Sequence, residues 1–215
     1  MDQMVARLRR VTPVEGRYML GIAGAPGAGK TTLAAALALQ LGSAAAVVEM
    51  DAFHLAKEQL RRLERLERQG APDTFDVAGY LDVLRRLRVE RTDAFIPVFD
   101  PLIEEPIAAA ELIPTSTRLI ITEGAYLLFA THGWHEVRPL LDEVWYLEIA
   151  EDERRNRIVA RRRDHGRSDL ETDRWFKNVD EPYRSAVQTS AQLADLVLRA
   201  PRAGSVSIDS GSVSE

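Results

Sequence analysis

The sequence contains no cysteine. Disulfides, thiolate nucleophiles and cysteine-based zinc or iron–sulfur sites are excluded by that absence alone. Lysine is nearly as scarce: of 28 basic residues only Lys30, Lys57 and Lys177 are lysine, the rest being arginine. A lysine inside a motif is therefore informative. Histidine occurs four times, and His132 and His135 form the only close pair, with no further ligand types spaced for a metal. No apolar run has the length of a membrane span, and MDQMVARLRR lacks the apolar core of a signal peptide. These absences lead to the expectation of a cytoplasmic protein without membrane attachment. The net charge of −5 argues against a nucleic-acid partner. What remains is ordinary: 215 residues, 46% hydrophobic and 28% charged, enough for one domain with a real core.

Strand-like and helix-like segments alternate. Tyr18–Ala23, Ala46–Met50, Ala94–Phe99, Arg118–Thr122, Glu143–Ile149 and Asp195–Arg199 read as strands. Pro97 assigns its strand to an edge. Thr31–Leu41, Val77–Val89, Glu151–His165 and Leu170–Ala191 read as helices, and leucines recur at helical spacing between His54 and Gln69. This alternation predicts an α/β fold with βαβ units and a mainly parallel sheet. Residues 1–203 form one domain in this reading. The serine- and glycine-rich 204–215 forms a frayed tail, with room for one short strand at Val206–Ile208.

The most specific signal is Gly24-Ala25-Pro26-Gly27-Ala28-Gly29-Lys30-Thr31, a match to G-x-x-x-x-G-K-[ST] between an apolar strand and a helix. With this composition a chance match is expected on the order of once in a thousand such chains. Glycines let successive N–H groups curl around a phosphate, and the helix N-terminus adds its dipole. Lys30 supplies a point charge to the outer phosphates, and the Thr31 hydroxyl is placed to ligate Mg²⁺. Thr32 completes the candidate ATP-binding stretch. Two carboxylates, Asp51 and Glu123, end predicted strands, where the ligand crevice of an open α/β sheet lies. One would accept a substrate proton and the other would hold Mg²⁺, although Asp51 would also serve as a plain helix cap. Phe53, Phe75, Phe99 and Tyr126 flank these positions, and His54 follows Asp51 by three residues. Core packing explains each aromatic as well as substrate contact does.

Together the blocks GIAGAPGAGKTTLA, VVEMDAFHL, GAPDTFDVAGYL, IPVFD, ITEGAYLL, RRNRIVARRRDHGR and VDEPYRSAV resemble, in order, the phosphoribulokinase/uridine kinase family of P-loop kinases. The likeness is strongest to the bacterial subgroup of nucleoside-kinase-like and fructose-transport-system kinases. It implies a P-loop three-layer sandwich with a five-stranded parallel core, a helical lid at about 151–168 and an acceptor-site insertion at about 70–105. By the same resemblance Asp51 is the catalytic carboxylate and Glu123 lies by Mg²⁺. Asp73 and Phe99 line the acceptor site, while Arg157 and Arg161, with Arg162 as a third candidate, embrace phosphates. The implied activity is transfer of the γ-phosphoryl of Mg-ATP to a hydroxyl of a nucleoside, sugar or pantothenate-like metabolite. The alternative is a partner-dependent NTPase switch, and a homodimer is left open. Three positions depart from the subgroup: Pro101 for Arg, Ala125 for Asn and Tyr183 for Asn. Ile103-Glu104-Glu105 stands where uridine kinases carry a base-recognising His, so a pyrimidine nucleoside is not supported in detail.

Overall fold

The computed structural model describes residues 1–89 and 92–199; the tail and its candidate strand at Val206–Ile208 lie outside them. Five strands build the central sheet: β1 (Tyr18–Ala23), β2 (Ala45–Glu49), β5 (Leu119–Gly124), β6 (Glu143–Glu148) and β7 (Leu196–Arg199). Every pairing is parallel, and the order is β2-β5-β1-β6-β7. β3 (Ala94–Asp100) and β4 (Glu105–Ile113) form a separate antiparallel hairpin.

Side-chain alternation explains the three layers. On β1, Met19 and Ala23 point into one apolar cluster while Leu20 and Ile22 point into the other. Ile120 on β5 opposes Leu119 and Ile121, and Val144 and Tyr146 on β6 oppose Trp145 and Leu147, in the same way. A strand apolar at every position is one buried on both faces. α1 (Asp2–Val11) and α2 (Lys30–Leu41) cover one face through Met4, Val5, Leu8, Ala34 and Leu37. α4 (Val77–Val89) covers the other with Tyr80, Leu81, Leu84 and Leu87 at helical spacing. Trp134, fully buried, joins that side and donates Nε1–H to the Pro72 carbonyl at 2.9 Å.

Three differences from the sequence reading have physical causes. The stretch after His54 forms only a short α3 (Lys57–Arg62), because Glu64 turns the chain at φ 57°. The helix read over Leu170–Ala191 becomes α6 (Asp169–Trp175), a π-helical turn at Phe176–Asp180, and α7 (Glu181–Thr189). Pro182 at the start of α7 has no N–H to give the preceding turn. β4, unread in the sequence, is mostly exposed, so it lacks the alternation that marks a strand. Its partner β3 has a register shift between Ile96 and Val98, at Pro97, and pairs on one side only. α5 (Glu151–Asp164) carries acidic residues in its first turn and arginines in its last, matching the helix dipole. No described helix is long and apolar enough to cross a membrane.

Candidate active site

The glycine loop joins β1 to α2 and lies under α5. Gly27 holds φ 82°, and a Cβ there would stand 2.9 Å from Ile158 Cγ1 and 3.0 Å from the Arg154 carbonyl. Gly24, at φ 149°, would bring a Cβ to 2.7 Å from the Leu147 carbonyl. Only glycine admits this path between β6 and α5. α5 is fixed in turn by Arg154, which is 1% exposed and bonds both oxygens of Asp180 (2.6 and 2.8 Å) and both of Glu151 (2.8 Å each).

The loop ends on a cluster of charges. Lys30 is buried and its Nζ donates to the Ala25 carbonyl at 3.2 Å. Burial pushes its ammonium below the usual lysine range, opposed by Glu123 and Asp51. Thr31 Oγ1 donates to Glu123 Oε1 at 2.6 Å. Burial pushes the Glu123 carboxyl up, Lys30 pulls it down, and Asp51 adds to the rise. Glu49, absent from the sequence candidates, pairs in register with Glu123 across β2 and β5. Burial, then Glu123 and Asp51, push its carboxyl up to about 7. Its signal in the sequence was a carboxylate within an otherwise apolar strand. Asp51 follows β2 in a 3₁₀ turn, where its carbonyl receives the backbone N–H of His54.

A cavity of about 940 Å³ opens from this cluster. Pro26, Gly27, Gly29, Lys30, Thr31, Thr32, Asp51 and Glu123 line it, with Tyr126, Phe99, Arg157 and Arg161. Gly24, Ala25 and Ala28 belong to the loop behind that lining. Arg157 Nη1 lies 3.7 Å from where a Gly29 Cβ would be, while its Nε bonds Glu153 at 2.8 Å. The charge of Arg161 is felt at both Lys30 and Glu123. His54 packs on Phe75 and Phe99, with ring centroids 4.1 and 5.0 Å apart, making one aromatic wall.

Two sequence candidates lie off the cavity. Phe53 is 6% exposed and packs on Tyr80 at 5.0 Å, so its ring serves the core. Asp73 is held by Arg68 and Arg65, and its carboxylate pins the turn before α4. Of the three departures, Pro101 and Ala125 line the cavity, whereas Tyr183 packs against Tyr126 and Phe129. His132 meets Thr131, and no metal-binding cluster of His, Asp or Glu occurs among the described residues.

A phosphate cradle at the end of the middle strand of a parallel sheet, with carboxylates at neighbouring strand ends and arginines overhead, defines a P-loop phosphotransferase. The model of the phosphoribulokinase/uridine kinase family matches residues 19–207, and the chain belongs to that family. A solved structure from Silicibacter sp. TM1040, described as a "putative fructose transport system kinase", is 33% identical and superposes with a TM-score of 0.81. The match covers 91% of this chain and 97% of that one. A Schizosaccharomyces pombe protein named "Putative uridine kinase C227.14" is 30% identical over 170 residues, 74% of this chain and 72% of that protein. The YggC protein of Escherichia coli K12 is 27% identical over 206 residues, 94% of this chain and 85% of its own length. Members of the family are phosphotransferases acting on hydroxyl groups, and the family's P-loop implies use of ATP.

Proposed function

We propose that this protein transfers the γ-phosphoryl of Mg-ATP to a hydroxyl of a small metabolite held against the His54–Phe75–Phe99 wall. The observation that carries this reading is the single cavity shared by the glycine loop, Asp51, Glu123 and that wall. The residues suit the nucleotide and its metal: Gly27, Gly29, Lys30 and Thr31 line the cavity, and the Thr31 hydroxyl and Glu123 carboxylate already meet at 2.6 Å. Thr31 and Glu123 are the metal-holding groups in this reading, and bound Mg²⁺ would supply charge neutralisation between the outer phosphates.

Lys30 and the amides of residues 24–31 bind and orient the phosphates, with Arg157 and Arg161 closing over them. Asp51 accepts the proton of the acceptor hydroxyl and aims its oxygen in line with the γ-phosphorus. Positioning and fixed charge carry most of the catalysis, since phosphoryl transfer asks for little covalent help. ADP release measured with Mg-ATP against nucleosides, sugars, vitamins and hydroxy acids tests the proposal. One compound should raise the rate well above basal and appear phosphorylated by mass spectrometry. A flat panel beside confirmed ATP binding would count against it and in favour of a partner-stimulated NTPase.

A further inference from the structure

α6 and the end of α5 wall a further part of the cavity. Trp175 stands there with its Nε1 3.7 Å from where a Gly70 Cβ would lie, and the Gly70 carbonyl receives the Tyr126 hydroxyl at 2.8 Å. This part is therefore continuous with the aromatic wall. Its charges fall into two groups. Arg167 is committed to Glu104 and Glu171, and Lys57 to Glu104 at 3.5 Å. Arg162 and the exposed Arg174 also line the cavity, and neither guanidinium forms an ion pair or a hydrogen bond among the described residues. The Arg162 Nε is buried with no partner, and its guanidinium lies over the Trp175 ring at 5.3 Å. Glu67 is the only uncommitted carboxylate among the described lining residues in this part.

A guanidinium with a buried, unanswered N–H is a donor awaiting an acceptor. Its planar fork pairs bidentately with a carboxylate or phosphate, and stacking on an indole fixes the plane of the fork. The Lys30 end already has its own cations for ATP. Arg162 and Arg174 are a second set on the same cavity, next to the Trp175–Gly70–Tyr126 part of its wall.

We infer that the acceptor is itself an anion, a hydroxylated metabolite bearing a carboxylate or a phosphate monoester, and that Arg162 and Arg174 receive this group beside Trp175. This rests on the kinase reading for the word acceptor, but the anion site itself does not. Two measurements separate them. In the first, inorganic phosphate is titrated into the full chain saturated with a non-hydrolysable Mg-ATP analogue, and tryptophan fluorescence is followed. Trp134 and Trp145 are fully buried, so Trp175 is the reporter. A saturable change is expected, weakened at least tenfold in Arg162→Gln and in Arg174→Gln. No saturable change, or equal binding by both variants, overturns the inference.

In the second, ADP release is compared for matched pairs: hydroxy acids against their amides, and sugar monophosphates against the free sugars. Stimulation by the charged member alone supports the inference and tells carboxylate from phosphate. KM for that compound should rise at least tenfold in each variant, while KM for ATP changes less than threefold. Stimulation by the neutral members overturns the inference and leaves the kinase reading standing. A flat panel with phosphate binding lost in the variants supports the anion site and retires the kinase reading instead.

Discussion

Arg154 offers the sharpest test of how the site is held. It bears four charge-assisted hydrogen bonds, and its side chain is 1% exposed against 2% for that of Asp180. Arg154→Met removes the cation but leaves the Asp180 carboxylate buried without a partner. Breaking one half of such a buried pair costs about 3–5 kcal/mol. With a urea dependence of about 2 kcal/mol per molar for a domain of this size, the unfolding midpoint should fall by ~1.5–2.5 M. Urea titration followed by tryptophan fluorescence measures it. The double variant Arg154→Met/Asp180→Leu removes both charges and should recover at least half of the loss, since the penalty lies in the stranded ion rather than in the missing bond. A midpoint shift below ~0.5 M, or a double variant no better than the single one, would refute the reasoning.

Other expectations are narrower. Asp51→Asn should lower kcat by at least about a hundredfold, as expected for loss of a general base, with the ATP dissociation constant nearly unchanged; equal turnover would remove Asp51 from that role. Glu49 should make stability fall as pH rises. Its folded carboxyl titrates at about 7 against an ordinary 4.5, so its full contribution is present below 4.5 and is lost as pH rises through 7. The thermal midpoint of Glu49→Gln should therefore gain on wild type between pH 5 and pH 8, and parallel curves would contradict this. Gly27→Ala must force its Cβ against Ile158 and the Arg154 carbonyl at a positive φ, so ATP affinity should drop at least tenfold by calorimetry. Trp134→Phe strands the Pro72 carbonyl and should cost about 1–3 kcal/mol in urea unfolding.

Much of the nucleotide half was legible in the sequence because its determinants are local. A glycine loop, one lysine and apolar runs ending in carboxylates are contiguous signals, and the three-layer sheet follows from them. The acceptor half was less legible, since its signals are long-range. The resemblance gave Asp73 as an acceptor-site residue, and only the fold shows its carboxylate held by Arg65 and Arg68. Phe53 and Phe99 were equivalent as residue types, and only the direction of each side chain separates core from cavity. Arg154 and Arg162 sit in one run of arginines, yet the first is buried in an ion pair and the second has an unanswered nitrogen. No local pattern distinguishes them, because the difference lies in Asp180 and Trp175, both more than ten residues away. β4 escaped notice for the opposite reason, having almost no buried side to alternate with.

The sheet order carries an evolutionary consequence. β2 and β5 are neighbours, yet about a third of the chain, from Met50 to Arg118, lies between them. That excursion leaves and re-enters the sheet at neighbouring strands, so its loops and hairpin can change in length as long as α4 still covers its face of the sheet. It contains α3, α4, the hairpin and most of the aromatic wall, while the glycine loop and α5 lie outside it. The chain is thus divided like an instrument with a fixed body and an exchangeable head. Grafting 50–118 from a relative, with Glu49 and Leu119 as the junctions, would exchange most of the acceptor wall while leaving the phosphate cradle in its own setting.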